Sequence, residues 1–231
     1  MTVTLLQRVE MLMNSEQVWR VIDDQRRSLV ALLEDLTHQQ WQQPSLCGQW
    51  TVRQVAAHVA LQNTTWSALP RAVPDLIRSR RMNGAIDAAA RRHARLPTET
   101  IISQIRERIG VWRPLPTVTY REGAIDYLVH TQDIAIPLAR DIPMPTDAAT
   151  VAADRVWKSG RMFHARRRFG GYRFVATDVD WEVGQGSEVT GPISALLLVL
   201  TGRPAGLAHL TGPGADNLRT SMVNHAPRLA T

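Results

Sequence analysis

Apolar residues recur at three- and four-residue steps through much of the first half of the chain. Val18, Ile22, Leu29, Leu32, Leu33 and Leu36 form one such stripe and predict an amphipathic helix over 18–36. Pro44, Ser45 and Gly48 then mark a turn. Thr51 and Gln54 stand at the spacing of a capping box, with Trp50 and Val55 placed for a hydrophobic staple. Val52, Val55, Ala56, Val59 and Ala60 give the apolar face of a helix expected to run to about residue 69, before Pro70. The stretch 71–120 is less regular. It holds an Arg-rich segment with Asn83-Gly84, then a helix over 98–111, opened by Pro97-Thr98 and closed before Pro114. After a linker at 114–119, Ile125, Leu128, Val129 and Ile136 predict a helix over 121–138. Four long helices with modest connections predict a bundle.

The pattern changes after Pro143 and Pro145. Residues 147–167 predict one more helix. Residues 172–181 alternate in part, through Phe174, Val175, Val179 and Trp181, and predict a strand with a break near Asp178. Gly184, Gly186 and Gly191 read as turns, 192–200 as a compact helix ending at Gly202, and the tail from Thr211 shows little periodicity. The expected architecture is mainly α: a helical bundle over 1–143 followed by a small α/β domain over 144–231.

Composition adds boundaries to this picture. The 231 residues are 44% hydrophobic and 21% charged, the balance of an ordinary globular protein. Ile193 to Leu200, broken by Ser194, is the longest apolar run and is far too short to cross a bilayer. Residues 1–20 mix Gln, Arg, Glu and Asn among their apolar positions, unlike the apolar centre of a secretory signal. The single cysteine, Cys47, excludes an internal disulfide and is too few for a thiolate metal site. A soluble, cytoplasmic protein with no membrane partner is expected, as a monomer or homodimer. The net charge is +6, carried by 26 arginines and one lysine, Lys158. Arg161, Arg166, Arg167, Arg168 and Arg173 surround Gly170-Gly171, where a helix would end and cations are favoured, so the cluster reads as a basic helix end. A nucleic-acid partner is the competing reading, and no nucleic-acid motif supports it.

Two of the seven histidines sit in informative places. His58 lies in the capped second helix; His130 lies four residues after Asp126 and three before Asp133, on one helical face. From spacing alone, Asp126 and His130 can be a surface hydrogen bond or a satisfied core pair. With a histidine from a facing helix, they can also make a two-His, one-carboxylate metal site with open coordination positions. Asp133 is then a candidate to orient a ligating imidazole through its second nitrogen. Cys47 can be a reactive thiol, but an inert packed cysteine is favoured. Trp50 and Trp66 read as core or staple residues.

The stretch Cys47-Gly48-Gln49-Trp50-Thr51-Val52-Arg53-Gln54-Val55-Ala56-Ala57-His58 resembles the second-helix signature of the DinB-like, mycothiol-dependent maleylpyruvate isomerase family. Asp126-Tyr127-Leu128-Val129-His130-Thr131-Gln132-Asp133 is similar to that family's carboxylate-x-x-x-His-x-x-Asp helix. Ala176-Thr177-Asp178 through Trp181, Gly184, Gly186, Gly191-Pro192 and Leu196 to Gly202-Arg203-Pro204 resemble its C-terminal half. The matches come in the family's order over about residues 15–215. One departure stands out: Asp126 occupies a position where the family usually has glutamate, shortening the carboxylate arm by one methylene. Glu122 is off the His130 face and does not replace it.

The resemblance implies a DinB-like four-helix bundle followed by a small α/β domain. It also implies a divalent cation, usually zinc, held by His58, Asp126 and His130. The thiol cosubstrate would be mycothiol, the small thiol of actinobacteria, a source with which the arginine bias is consistent. A bound zinc ion lowers the pKa of a thiol, and the thiolate adds to an electrophilic carbon. Reversible addition to a conjugated double bond gives an isomerase; release of the adduct gives a thiol S-transferase. The resemblance places Arg203 near the site, where a guanidinium suits an anionic substrate; a surface arginine capping the helix before it is an equal alternative. A non-catalytic, metal-binding stress or regulatory protein of the same fold is the alternative function.

Overall fold

The structure, a computed structural model, describes residues 13–61, 82–113, 119–160 and 163–225. The chain divides into two compact units. One takes in the residues up to Val21, Tyr120–Val129 and the segment from Pro143; the other takes in Ile22–Thr119 and His130–Ile142.

The unit containing Ile22–Thr119 is helical. Its elements are α1 (Ser15–Glu34) from Ile22 on, α2 (His38–Trp41), α3 (Val52–Leu61), α4 (Met82–His93), α5 (Thr98–Arg106) and the end of α6 (Tyr120–Ala135). The expected stripes form its interior: Leu29, Leu33, Val52, Val55, Val59, Ile101 and Ile105 are all buried. α3 packs against both α4 and α5. Arg53 of α3 joins them further, donating to the carbonyls of Ala94 at 2.5 Å and Leu96 at 2.6 Å. Two capping boxes start helices here, Thr37 with Gln40 at α2 and Thr51 with Gln54 at α3. Asp23 and Arg26, both buried on α1, pair at 2.9 Å. Asp23 also accepts from Gly110 N at 3.1 Å and Trp112 Nε1 at 2.7 Å, while Arg26 donates to the Arg108 carbonyl at 2.6 Å. This network ties the chain after α5 to α1.

The second unit surrounds a three-stranded sheet of β1 (Tyr172–Ala176), β2 (Glu182–Gly184) and β3 (Ser187–Gly191), in the order β2-β1-β3. β1 runs antiparallel to β2, with Phe174 opposite Val183, and parallel to β3, with Phe174 opposite Val189. Its helices are α7 (Thr146–Lys158), the short α8 (Ala165–Arg168), α9 (Ile193–Leu200) and α10 (Ala215–His225). Every residue of α9 except Ser194 is buried, against α7, β1 and the 3-10 turn Pro204–His209. Asp178 Oδ1 accepts from Ile193 N at 2.9 Å and so caps α9 at its start. Thr201 Oγ1 donates to the carbonyls of Leu197 and Leu198 at the other end. Phe174, Trp181, Val189 and Leu196 fill the core, joined by Ile125, Leu128 and Val129 from the first part of α6.

The architecture is mainly helical with a small sheet, as expected, but several elements differ. The helix predicted over 147–167 is two: α7 ends at Lys158, and His164, with φ at 51°, stands before α8. A left-handed residue that is not glycine cannot continue a right-handed helix. The single strand predicted over 172–181 ends at Ala176, and Trp181 lies in the bend before β2. β3, read as turn because of its flanking glycines, is a strand; α10 occupies the tail read as aperiodic. Asn83 and Gly84, in the stretch read as less regular, fall within α4. The predicted continuation of α3 to residue 69, Trp66, Arg161 and most of the 114–119 linker lie outside the described residues. Among the described residues, no helix is long and apolar enough to cross a membrane.

Candidate metal centre

The Thr51 cap sets where α3 begins, and His58 follows seven residues later, two turns on and on the same side as the cap. Its neighbours Ala57 and Val59 are fully buried, whereas His58 is half-buried. On α6, Asp126 and His130 are one turn apart on one continuous helix, so their relative placement is that of the helix itself. His130 is 8% exposed and Asp133 completely buried.

The His58 and His130 rings lie edge to face, with centroids 4.9 Å apart and planes at 74°. One ligating atom from each of His58, Asp126 and His130 lies within 4.8 Å of the other two. His130 Nδ1 stands 2.8 Å from Asp133 Oδ2. A carboxylate only accepts, so Nδ1 carries the proton in this pair and the Nε2 lone pair is left for another partner. His58 and His130 are therefore brought together, and Asp133 lies at hydrogen-bonding distance from His130.

Two imidazoles and a carboxylate suit zinc and similar divalent ions. Around such an ion, with bonds near 2 Å, ligating atoms stand about 3.4 Å from one another. Side-chain adjustments of about an ångström close the group to that spacing, so the donors fit a divalent cation.

The sequence places Trp50 in the core or a staple, but its position in the fold is more specific. Its ring lies 5.2 Å from that of His58, tilted by 45°, and its Nε1 donates to Asp87 Oδ1 at 2.7 Å. Asp87 is in turn paired with Arg91 at 2.9 Å. The indole thus supports the His58 ring and is itself fixed from α4. No local signal announces this contact, because Asp87 lies in the segment that reads as irregular.

Arg203 belongs to the unit with the sheet. It donates to the Thr201 carbonyl at 2.7 Å, beside the end of α9. Its charge bears on Arg168, whose guanidinium lies over the Phe169 ring at 4.9 Å from the centroid. Desolvation, and after it the charge of Arg203, lower the Arg168 pKa, although the residue as a whole is exposed. Arg173 is ion-paired, with Glu182 and, at 2.6 Å, with Glu188. Cys47 is free and half-buried in the turn before α3.

Residues 22–113 match the family of the mycothiol maleylpyruvate isomerase N-terminal domain, a region that contains His58 and ends before α6. No curated protein matches the chain's sequence significantly. Among solved structures, the fold is similar to that of a histidine-to-alanine mutant of the mycothiol-dependent maleylpyruvate isomerase. The TM-score is 0.59 and the identity 11%, over 88% of this chain and 94% of that one. A second structure of the mycothiol-dependent maleylpyruvate isomerase aligns over the same shares with a TM-score of 0.53 and 12% identity. At such identities the likeness shows a shared fold. Through residues 22–113, the chain is similar to the family of the mycothiol maleylpyruvate isomerase N-terminal domain.

Proposed function

We propose that this protein is a divalent-cation-dependent enzyme that uses mycothiol as cosubstrate and acts on a small electrophile. The reaction is an isomerisation of the maleylpyruvate type or an S-transfer. The convergence of His58, Asp126 and His130, in a chain whose 22–113 segment carries the family domain, is the observation behind this reading. A cation held there, with zinc as the proposed ion, supplies Lewis acidity that lowers the pKa of a bound thiol.

The chain's own residues prepare that chemistry. Asp133 keeps the proton of His130 on Nδ1, so the ring offers Nε2 without rearrangement. Trp50 limits the motion of the His58 ring and removes water from one of its faces. Three protein ligands leave a position open, which a metal with a reacting partner requires and a closed structural site does not provide. Arg203 is the group we assign to the carboxylate of an anionic substrate. In this reading the organisation follows the chemistry: a metal-binding part over 1–143 and a small α/β part over 144–231.

The test is a screen of small electrophiles, including cis-configured conjugated acids, with mycothiol and zinc-loaded protein. Thiol-dependent turnover that disappears in His58→Ala supports the reading. Protein that retains its ion but accelerates no thiol addition turns it toward the non-catalytic, metal-binding alternative.

A further inference from the structure

His130 belongs to a second group of ligating side chains. One atom from each of Cys47, His130 and Asp133 lies within 4.8 Å of the other two, and this group meets the first only at His130. All three residues lie in the same compact unit. The place of Cys47 is set by backbone hydrogen bonds, one of them made to Asp133 itself. Leu46 N donates to the Asp133 carbonyl at 3.1 Å, and Trp50 N donates to the Cys47 carbonyl at 3.0 Å. Cys47 N donates to Ser45 Oγ at 3.1 Å, and the chain then turns at Gly48 with φ at 56°, a conformation suited to glycine. A half-buried thiol is thereby held against a nearly buried imidazole and a fully buried carboxylate.

The two groups differ in chemistry. His58, Asp126 and His130 offer two nitrogens and an oxygen. Cys47, His130 and Asp133 replace one nitrogen with sulfur, which favours softer ions. We propose that Cys47, His130 and Asp133 form a second cation position, selective for thiophilic divalent ions such as cadmium or zinc in excess, which competes with the first group for His130. A neutral imidazole has one free lone pair and ligates one ion at a time. An ion on the Cys47 side takes Nδ1 and the Asp133 carboxylate oxygen, and the imidazole proton passes from Nδ1 to Nε2 through solvent, so that the ring stays neutral and Nε2 no longer offers a lone pair. Cys47 releases its own proton to solvent as it binds. Filling the second position withdraws one of three ligands from the first, so thiophilic ions act as inhibitors. This deepens the metal reading above and shares its use of His130.

The experiment titrates cadmium into the full-length protein after chelation and dialysis, following the ultraviolet charge-transfer band of a cadmium-bound thiolate. Cys47 is the chain's one cysteine, so the band reports that residue alone. The expected result is saturation at about one equivalent per chain, with the band lost in Cys47→Ser and retained in His58→Ala. Asp133→Asn should weaken cadmium binding by about tenfold or more. No band at stoichiometric cadmium overturns the proposal. So does wild-type affinity in a folded Asp133→Asn variant, since the thiol would then act without its neighbours. A band persisting in His58→Ala, together with undiminished zinc content in that variant, would leave this position standing and remove the first.

Discussion

The imidazoles of His58 and His130 meet edge to face at 4.9 Å although they are 72 positions apart in sequence, one on α3 and one on α6. Two rings this close crowd their polar nitrogens into a small volume. A cation shared between them would resolve that crowding. Purified protein should carry about one divalent ion per chain after dialysis, and His58→Ala and His130→Ala should each lose most of it. Elemental analysis of the dialysed variants is the measurement. Full retention in His58→Ala would remove the group from consideration as a metal centre.

Asp126 gives a sharper comparison. Asp126→Glu restores the longer carboxylate usual in the family and should hold the ion at least as well as the wild type. Asp126→Asn removes the charge and should weaken binding by about tenfold or more. Competition against a chromogenic chelator separates the two. Equal retention in both variants would show that Asp126 is not a ligand.

The cap of α3 should be worth about 1 kcal/mol, the usual effect of removing a Thr N-cap. Thr51→Ala, followed by urea unfolding of the apo protein, reads that loss directly. A destabilisation below the resolution of the method would mean that the Thr51–Gln54 exchange contributes nothing net.

Asp23→Ala should be far more costly. Arg26 is 3% exposed, and without Asp23 its guanidinium would stay buried while losing the carboxylate it holds at 2.9 Å. Breaking such a pair costs about 3–5 kcal/mol, whereas replacing both partners with apolar residues costs much less. Chemical denaturation of the single variant and the double variant Asp23→Leu/Arg26→Met checks this ordering. A single variant no worse than the double would refute the account.

Gly206 sits where a side chain has no room. A Cβ there would stand 2.4 Å from the Ala195 carbonyl oxygen and 3.1 Å from Val199 Cγ2, both on α9. Gly206→Ala must push the 3-10 turn away from that helix, at about 1–3 kcal/mol, the usual range for overpacking. Thermal unfolding should show a lowered Tm; an unchanged Tm would mean that the turn is not held tightly against α9.

Features set by neighbouring residues are legible in the amino-acid sequence. The Thr51–Gln54 cap and the helical spacing of Asp126, His130 and Asp133 are written within a turn or two of chain. The fold class follows from the same periodicity, helped by the family resemblance. Elements with weak local signals are not legible. β3 is only five residues long and ends on Gly191, and among the described residues α10 buries Ala215, Leu218 and Met222. The break at His164 depends on a backbone angle that no residue preference announces. The surroundings of Cys47 and Trp50 are hidden for another reason: their partners lie 83 and 37 positions away, and only tertiary packing brings them close.

The edges of the small sheet bear on how copies of this chain can associate. An open strand edge is a template onto which another chain can add. The outer side of β3 is occupied: Thr190 and Thr211 exchange backbone hydrogen bonds at 2.8 Å in both directions, and Gly214 N donates to the Glu188 carbonyl at 2.8 Å. On the other side, β2 is three residues long, and its Glu182 is tied up with Arg173. Neither edge offers a long, flat, apolar run of unpaired amides. Among the described residues, the sheet therefore offers only the short β2 edge for growth by strand addition, and the β3 edge is already taken by this chain's own backbone.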